Sequence, residues 1–285
     1  MTPELSQRLS GAGLDPQAVE NLVGTALAED GEVDVTSTPI FAPDDTASGE
    51  LRAREKGVVA GVPVACAVFE LLDVAYEAKV EDGDRVAPGQ VLIAVGGSTR
   101  AILRAERTAL NLLTHLSGIA TVTREWMDAM AGTKAKVRDT RKTLPGLRAL
   151  QKYAVRCGGG VNHRMGLQDA ALIKDNHVAA AGGVTKAYEA IRAVYPSLHV
   201  QVECDTLAQV EEALAVGAAS ILLDNMTDAE MAEAVRLVAG RAELEASGGL
   251  TLERARDVAV TGVDYLAVGA LTHSARAFDI GLDFT

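Results

Sequence analysis

The residues best suited to chemistry recur at one kind of place, directly after short apolar runs. Asp139-Thr140-Arg141-Lys142 follows the run Ala135–Arg138, and Lys174-Asp175-Asn176-His177 follows Ala170–Ile173. Val200–Glu203 ends on Glu203 with Asp205 just beyond, and Ser220–Leu223 leads into Asp224-Asn225. Ala242–Ala246 leads into Ser247-Gly248-Gly249, and Tyr265–Val268 into Gly269-Ala270. One Asp or Gly after a strand is ordinary turn chemistry. Six such endings in succession read as the carboxyl ends of barrel strands, where barrel enzymes gather their sites. The types also sort by task. Arg141, Lys142, Arg164 and Lys174 suit carboxylates or phosphates, the arginines as bidentate donors. Glu203 and Asp224 can accept hydrogen bonds from ribose hydroxyls, or hold Mg²⁺ directly or through water. Ser247-Gly248-Gly249, ahead of a helix near Thr251, offers main-chain N–H groups and a helix dipole to an anion. Gly269-Ala270 is placed to complete that phosphate site.

Charge is distributed to match. The chain carries a net charge of −12, yet between Lys134 and Lys174 there are ten Lys or Arg and only two acids, Asp139 and Asp169. The acidic total argues against nucleic acid or an anionic membrane as partner, since both need a basic footprint. By charge alone the basic stretch fits either a focused site for a small polyanion or a solvated basic face. His163 lies in the glycine-rich Gly158-Gly-Gly-Val-Asn-His-Arg164 loop rather than on an apolar face, which favours a site role. His115, His177, His199 and His273 have no ligand spacing, so no all-protein metal centre is expected. Lys174 at a strand end would also suit a Schiff-base aldolase.

These groups need a frame. Asp15 and Pro16 open an amphipathic helix to about residue 30. Residues 48–61 and pieces near 74–81 and 90–95 read as strands, with a helix at 63–72, giving a small α+β region. The 81–92 segment resembles the hairpin of biotinyl and lipoyl carriers. It lacks the acceptor lysine, and Asp82-Gly83 with Pro88-Gly89 explain it as two tight turns. Residues 99–130 form a long proline-free helix with Arg107 on the face of Leu103, Leu110 and Leu113, where a cation is unexpected. From 134 onward strands alternate with helices at about 147–157, 183–194, 206–216, 227–239 and 251–260, the pattern of a parallel α/β structure. A closed or nearly closed barrel is the natural solution, though six strands fall short of eight.

Length and composition agree with a folded α/β enzyme. At 285 residues, 48% hydrophobic and 23% charged, the chain suits one large core or two domains. The start has no signal-peptide h-region, and the longest apolar run, 57–69, is short and broken by Pro63. Three widely spaced cysteines fit no disulfide framework and point to a reducing cytoplasm.

Taken together, several blocks resemble the quinolinate phosphoribosyltransferase family: Glu106-Arg-Thr-Ala-Leu-Asn-Leu-Leu-Thr-His-Leu-Ser-Gly-Ile-Ala120, Asp139-Thr-Arg-Lys-Thr-Leu-Pro-Gly-Leu147, Asn162-His-Arg164, Leu172-Ile-Lys-Asp-Asn-His177, Leu222-Leu-Asp-Asn225 and Ala246-Ser-Gly-Gly249. The resemblance implies an N-terminal α/β sandwich domain over residues 1–115, joined by the tail 273–285, and an open, incomplete α/β barrel over 116–272. It implies nicotinate mononucleotide formation from quinolinate and 5-phosphoribosyl 1-pyrophosphate with Mg²⁺, releasing CO₂ and pyrophosphate, in NAD biosynthesis. By the same resemblance Arg141, His163, Arg164 and Lys174 hold the quinolinate carboxylates. Thr140, Lys142, Glu203 and Asp224 address the phosphoribosyl pyrophosphate and its metal, with Lys142, Lys174, Glu203 and Asp224 as the catalytic set. Ser247, Gly248, Gly249, Val268, Gly269 and Ala270 receive its 5′-phosphate. A homodimer is implied, with Arg107 entering the partner's site. A related phosphoribosyltransferase with another substrate would be expected to alter the cationic set, which is intact here.

Overall fold

In a computed structural model describing residues 1–285, the chain folds into two compact units. The first comprises Met1–Arg124, Pro145–Gly159 and Ser274–Thr285; the second comprises Glu125–Leu144 and Gly160–His273. The boundary therefore falls later than the expected 115/116, and a short internal segment joins the first unit. That segment contains a helix held to the unit by Tyr153, whose hydroxyl donates to Asp82, and by Arg156, which donates to the Ala12 carbonyl.

In the first unit, α1 (Pro3–Gly11) and α2 (Pro16–Glu29) each start on proline behind a capping side chain. Thr2 accepts from the Leu5 N–H and Asp15 from the Gln17 N–H, satisfying donors the first turn leaves open. The sequence signalled α2 but not α1. After α3 (Ser37–Ile40) come β1 (Thr46–Ala53), β2 (Gly57–Val58), α4 (Val62–Leu71), β3 (Ala75–Ala78), β4 (Arg85–Val86) and β5 (Val91–Ser98). An antiparallel sheet runs C-terminal strand (Ile280–Phe284), β1, β5, β3, with Leu51 opposite both Ile93 and Leu282. Helix α4 is buried from Val62 to Phe69, which explains the apolar run through Pro63. Its first donors, the Gly61 and Val62 N–H groups, which the helix leaves open, both give hydrogen bonds to the Asp82 carboxylate at 3.0 and 2.9 Å. The carrier-like hairpin is thus a capping device, and burial pushes the Asp82 carboxyl up against these bonds.

Helix α5 (Thr99–Ala129) corrects one expectation. Its buried stripe is Ile102, Ala105, Ala109, Leu113, Leu116 and Ala120, whereas Arg107 is exposed. At 3.6 residues per turn Arg107 is rotated by about 200° from Ala105 and Ala109, so it lies away from the stripe. Although α5 has 31 residues, no helix is long and apolar enough to cross a membrane.

The later elements are β6 (Lys136–Arg138), α6 (Arg148–Cys157, the helix that joins the first unit), β7 (Ala171–Ile173), α7 (Asp175–Ala181), α8 (Val184–Val194), β8 (Val200–Cys204), α9 (Leu207–Ala215), β9 (Ser220–Asp224), α10 (Asp228–Val238), β10 (Glu243–Ser247), α11 (Ala255–Val260), β11 (Tyr265–Ala267) and α12 (Ala270–His273). Every strand expected from the sequence is present. All six form one parallel sheet in the order β6-β11-β10-β9-β8-β7. Strands β6 and β7 are edges with no ladder between them, so the sheet is open rather than closed, as the family resemblance implied. Only a single bridge from Arg138 to Val161 extends the β6 edge. Capping boxes at Thr206–Gln209 and Thr227–Glu230 start α9 and α10 and fix where β8 and β9 give way to helix.

Candidate active site

Parallel strands in register deliver their last residues to one end of the sheet. Ser247 pairs with Asp224, Glu203 with Leu222, and Ala267 with Arg138. A cavity of about 680 Å³ opens there, lined by Thr140, Arg141, Lys142, His163, Arg164, Lys174, Glu203, Asp224, Ser247, Gly248, Gly249, Val268, Gly269 and Ala270. Fourteen of the fifteen expected site residues are therefore brought together. Arg107 is the exception. Strand order also sorts the charges. Glu203 and Asp224 come from the interior strands β8 and β9, while Arg141 and Lys142 follow edge strand β6 and Lys174 follows edge strand β7.

The cations are not neutralised by the protein alone. Lys174 Nζ reaches Glu203 Oε2 at 3.1 Å, an ion pair between half-exposed and nearly buried groups. Arg164 donates to the Ala170 carbonyl at 2.8 Å. Burial, and then the like charge of Arg141, depress its affinity for a proton, and Asp169 only partly offsets this. The guanidinium remains charged in any case, and its partly buried position beside a second cation favours an incoming anion.

The glycine turns are sterically required. Gly248 has φ +90°, and a Cβ there would sit 2.1 Å from Asn225 Oδ1. Asn225 is itself left-handed, at φ 54°, and its amide donates to Asp224 Oδ2 at 2.6 Å. A Cβ on Gly269 would lie 2.9 Å from Lys142 Cδ, so that lysine's stem crosses the turn closely. Thr272 Oγ1 donates to the Lys142 carbonyl at 2.7 Å, tying the two loops together.

His163 lines the cavity, but both ring nitrogens have protein partners: Nδ1 accepts from the Arg164 N–H at 2.8 Å, and Nε2 meets Gln201 Oε1 at 2.8 Å. His177 instead caps α7, its Nδ1 accepting from the Lys174 N–H. Cysteine chemistry is also disfavoured, because burial pushes the Cys66, Cys157 and Cys204 thiols up to about 12.

The sequence reading missed Asn225 as an orienting group, His273 and Glu245 as lining residues, and Gln201 beneath the floor. A period of two would have found the last two. Gln201 lies two before Glu203, and Glu245 two before Ser247, so each shares a face with a strand-end site residue.

For a metal, the donor set decides the type of site. Glu203 and Asp224 on neighbouring strands offer two carboxylates, one already paired with Lys174. That set fits Mg²⁺ carried largely by substrate phosphates rather than a cage of protein oxygens.

Comparison with known proteins agrees with this geometry. Residues 34–117 match the model of the quinolinate phosphoribosyl transferase N-terminal domain, and residues 119–283 that of its C-terminal domain. The chain is 54% identical over 277 residues to a nicotinate-nucleotide pyrophosphorylase [carboxylating] of Mycobacterium leprae, covering 93% of this chain and 97% of that protein. A probable enzyme of the same name from Bacillus subtilis is 41% identical over 262 residues, covering 91% and 90%. The crystal structure of nicotinate-nucleotide pyrophosphorylase from Ehrlichia chaffeensis superposes with a TM-score of 0.89 at 40% identity, covering 93% and 98%.

Proposed function

This chain belongs to the quinolinate phosphoribosyl transferase family, and on that premise we propose that its strand-end cavity is where quinolinate and 5-phosphoribosyl 1-pyrophosphate react. The enzyme is a carboxylating nicotinate-nucleotide pyrophosphorylase, forming nicotinate mononucleotide, CO₂ and pyrophosphate in de novo NAD biosynthesis. The observation that carries the site assignment is the sorting of charge, with cations entering from both sheet edges and acids from between them.

Arg141, Arg164 and Lys174 take the two quinolinate carboxylates, and fixing them directs the ring nitrogen toward the ribose carbon. That nitrogen is already a lone-pair nucleophile and needs no general base. Pyrophosphate departs with its bonding electrons, leaving positive charge on the ribose, which Glu203 and Asp224 stabilise as it develops. Once ribosylated, the ring accepts the electron pair left when the adjacent carboxylate departs as CO₂, and a proton takes that carboxylate's place on carbon. Lys142 and Thr140 address the pyrophosphate, while Ser247–Gly249 and Val268–Ala270 receive the 5′-phosphate through main-chain N–H groups. Glu203 and Asp224 would hold Mg²⁺, which would neutralise charge on the departing pyrophosphate.

The direct test is mononucleotide formation followed with quinolinate and, as control, nicotinate. Turnover is expected with quinolinate and to be lower by roughly 10²-fold or more with nicotinate, which lacks one of the two gripped carboxylates. Equal turnover would remove the two-carboxylate reading.

Arg107, exposed on α5 and absent from its own chain's cavity, completes the site of a second copy in a homodimer. Arg107→Ala and Lys142→Ala are each expected to be nearly inactive. Mixed after reversible dissociation they should regain about a quarter of the wild-type rate, because half of random dimers are mixed and each holds one intact site. No recovery in verified mixed dimers would count against a shared site. A cytoplasmic location belongs to the same proposal, supported by three widely spaced cysteines that fit no disulfide framework.

A further inference from the structure

From the cavity floor downward runs a chain of polar groups that the reaction above does not use. Glu245, 1% exposed, pairs with Arg138 Nη1 at 2.7 Å, and Arg138 stacks on the Tyr265 ring at 3.5 Å. Gln201, 2% exposed, gives its amide N–H to Glu245 Oε2 at 3.1 Å and turns its Oε1 toward His163 Nε2 at 2.8 Å. On the other side of the ring, Nδ1 accepts from the main-chain N–H of Arg164.

We propose that Glu245 and Gln201 are positioning residues for quinolinate, acting through His163 on Arg164. This deepens the function proposed above and rests on it. Direction is what the chain transmits. A carboxylate bound to a guanidinium only accepts, so the Gln201 amide must present N–H to Glu245 and oxygen to His163. An oxygen only accepts from the ring, so Nε2 carries the hydrogen and Nδ1 is bare. Bare Nδ1 in turn accepts the Arg164 N–H, and the main chain of Arg164 is fixed at the point where its guanidinium enters the cavity. Asp139 holds the same loop from behind, accepting from the His163 N–H at 2.9 Å. A reversed amide would set N–H against Nε2–H and carbonyl oxygen against carboxylate, so each link excludes the alternative tautomer. His163 therefore passes the direction of the Gln201 amide on to the carboxylate-gripping arginine.

Three measurements test this. Gln201→Met keeps volume and leaves the Glu245–Arg138 pair in place. It should raise the KM for quinolinate about tenfold, the equivalent of about 1.4 kcal/mol, while kcat and the KM for 5-phosphoribosyl 1-pyrophosphate stay within about twofold. An unchanged quinolinate KM, or equal losses in all three constants, overturns the proposal. On the unliganded, ¹⁵N-labelled wild-type protein, the His163 ring should show a protonated Nε2 and a bare Nδ1; the opposite tautomer overturns it. His163→Asn retains an oxygen near the Nδ1 position and should keep more quinolinate affinity than His163→Gln, whose oxygen lies near Nε2. The reverse ranking would mean that the Nδ1 contact does not position Arg164 and would sink the idea. If Gln201→Met does not fold, the ring spectrum and the His163 pair still decide. A wild-type protein inert toward quinolinate would end the functional reading, and with it the ligand named here. The ring spectrum judges the hydrogen-bond chain independently of that result.

Discussion

Arg164→Met is expected to raise the KM for quinolinate by roughly 10²- to 10³-fold while the melting temperature stays within a few degrees of wild type. The large effect follows from placement. The guanidinium is partly buried beside the like charge of Arg141, so water and protein stabilise it poorly until an anion arrives. A dicarboxylate then gains two charge-assisted hydrogen bonds and relieves the repulsion between the arginines. Stability changes little because two effects oppose each other. Removing Arg164 loses its bond to the Ala170 carbonyl, at about 1 kcal/mol, but also removes the unfavourable Arg141–Arg164 proximity. Steady-state kinetics and thermal unfolding of the purified variant check both halves. A quinolinate KM within threefold of wild type would remove Arg164 from the carboxylate site.

Asp224→Asn should act on a different constant. It keeps the shape of the side chain but loses its charge, so kcat is expected to fall roughly 10²- to 10³-fold with the quinolinate KM within about threefold. Asp224 sits at the end of an interior strand, with one oxygen held by the Asn225 amide. That bond fixes the carboxylate before the ribose develops charge, and preorganisation of this kind makes one charge worth several kcal/mol in a transition state. Single-turnover rates would separate chemistry from product release. A variant that loses quinolinate affinity but keeps its single-turnover rate would assign Asp224 to binding instead.

Most of the barrel was readable because its signals are local. Each strand is a short apolar run followed by a polar or glycine turn, and β6 to β11 fall where those runs predict. The caps Asp15, Thr206 and Thr227 are equally local, since each bonds within three residues of itself. Harder features depend on partners distant in sequence. The 81–92 segment reads as two tight turns, but the capping of α4 by Asp82 spans about twenty residues and leaves no local signal. Helix α6 follows a barrel strand in sequence, yet Tyr153 and Arg156 hold it to the first unit. For Arg107, spacing by sevens and threes suggested an apolar face, but the packed stripe lies on the other side of the helix.

For the site itself, the sequence by itself determined the chemical inventory: cations, acids and glycine turns at strand ends, since a side chain's charge and a turn's need for positive φ belong to single residues. Their sorting, with acids inside and cations at the edges, was decided only by the tertiary structure, because strand order is a property of pairing and not of succession. The same holds for His163. Its presence in a glycine-rich loop marked it as a site residue. Only sheet pairing brings Gln201 to its ring and Glu245 to Gln201, because the three come from separate stretches of the chain.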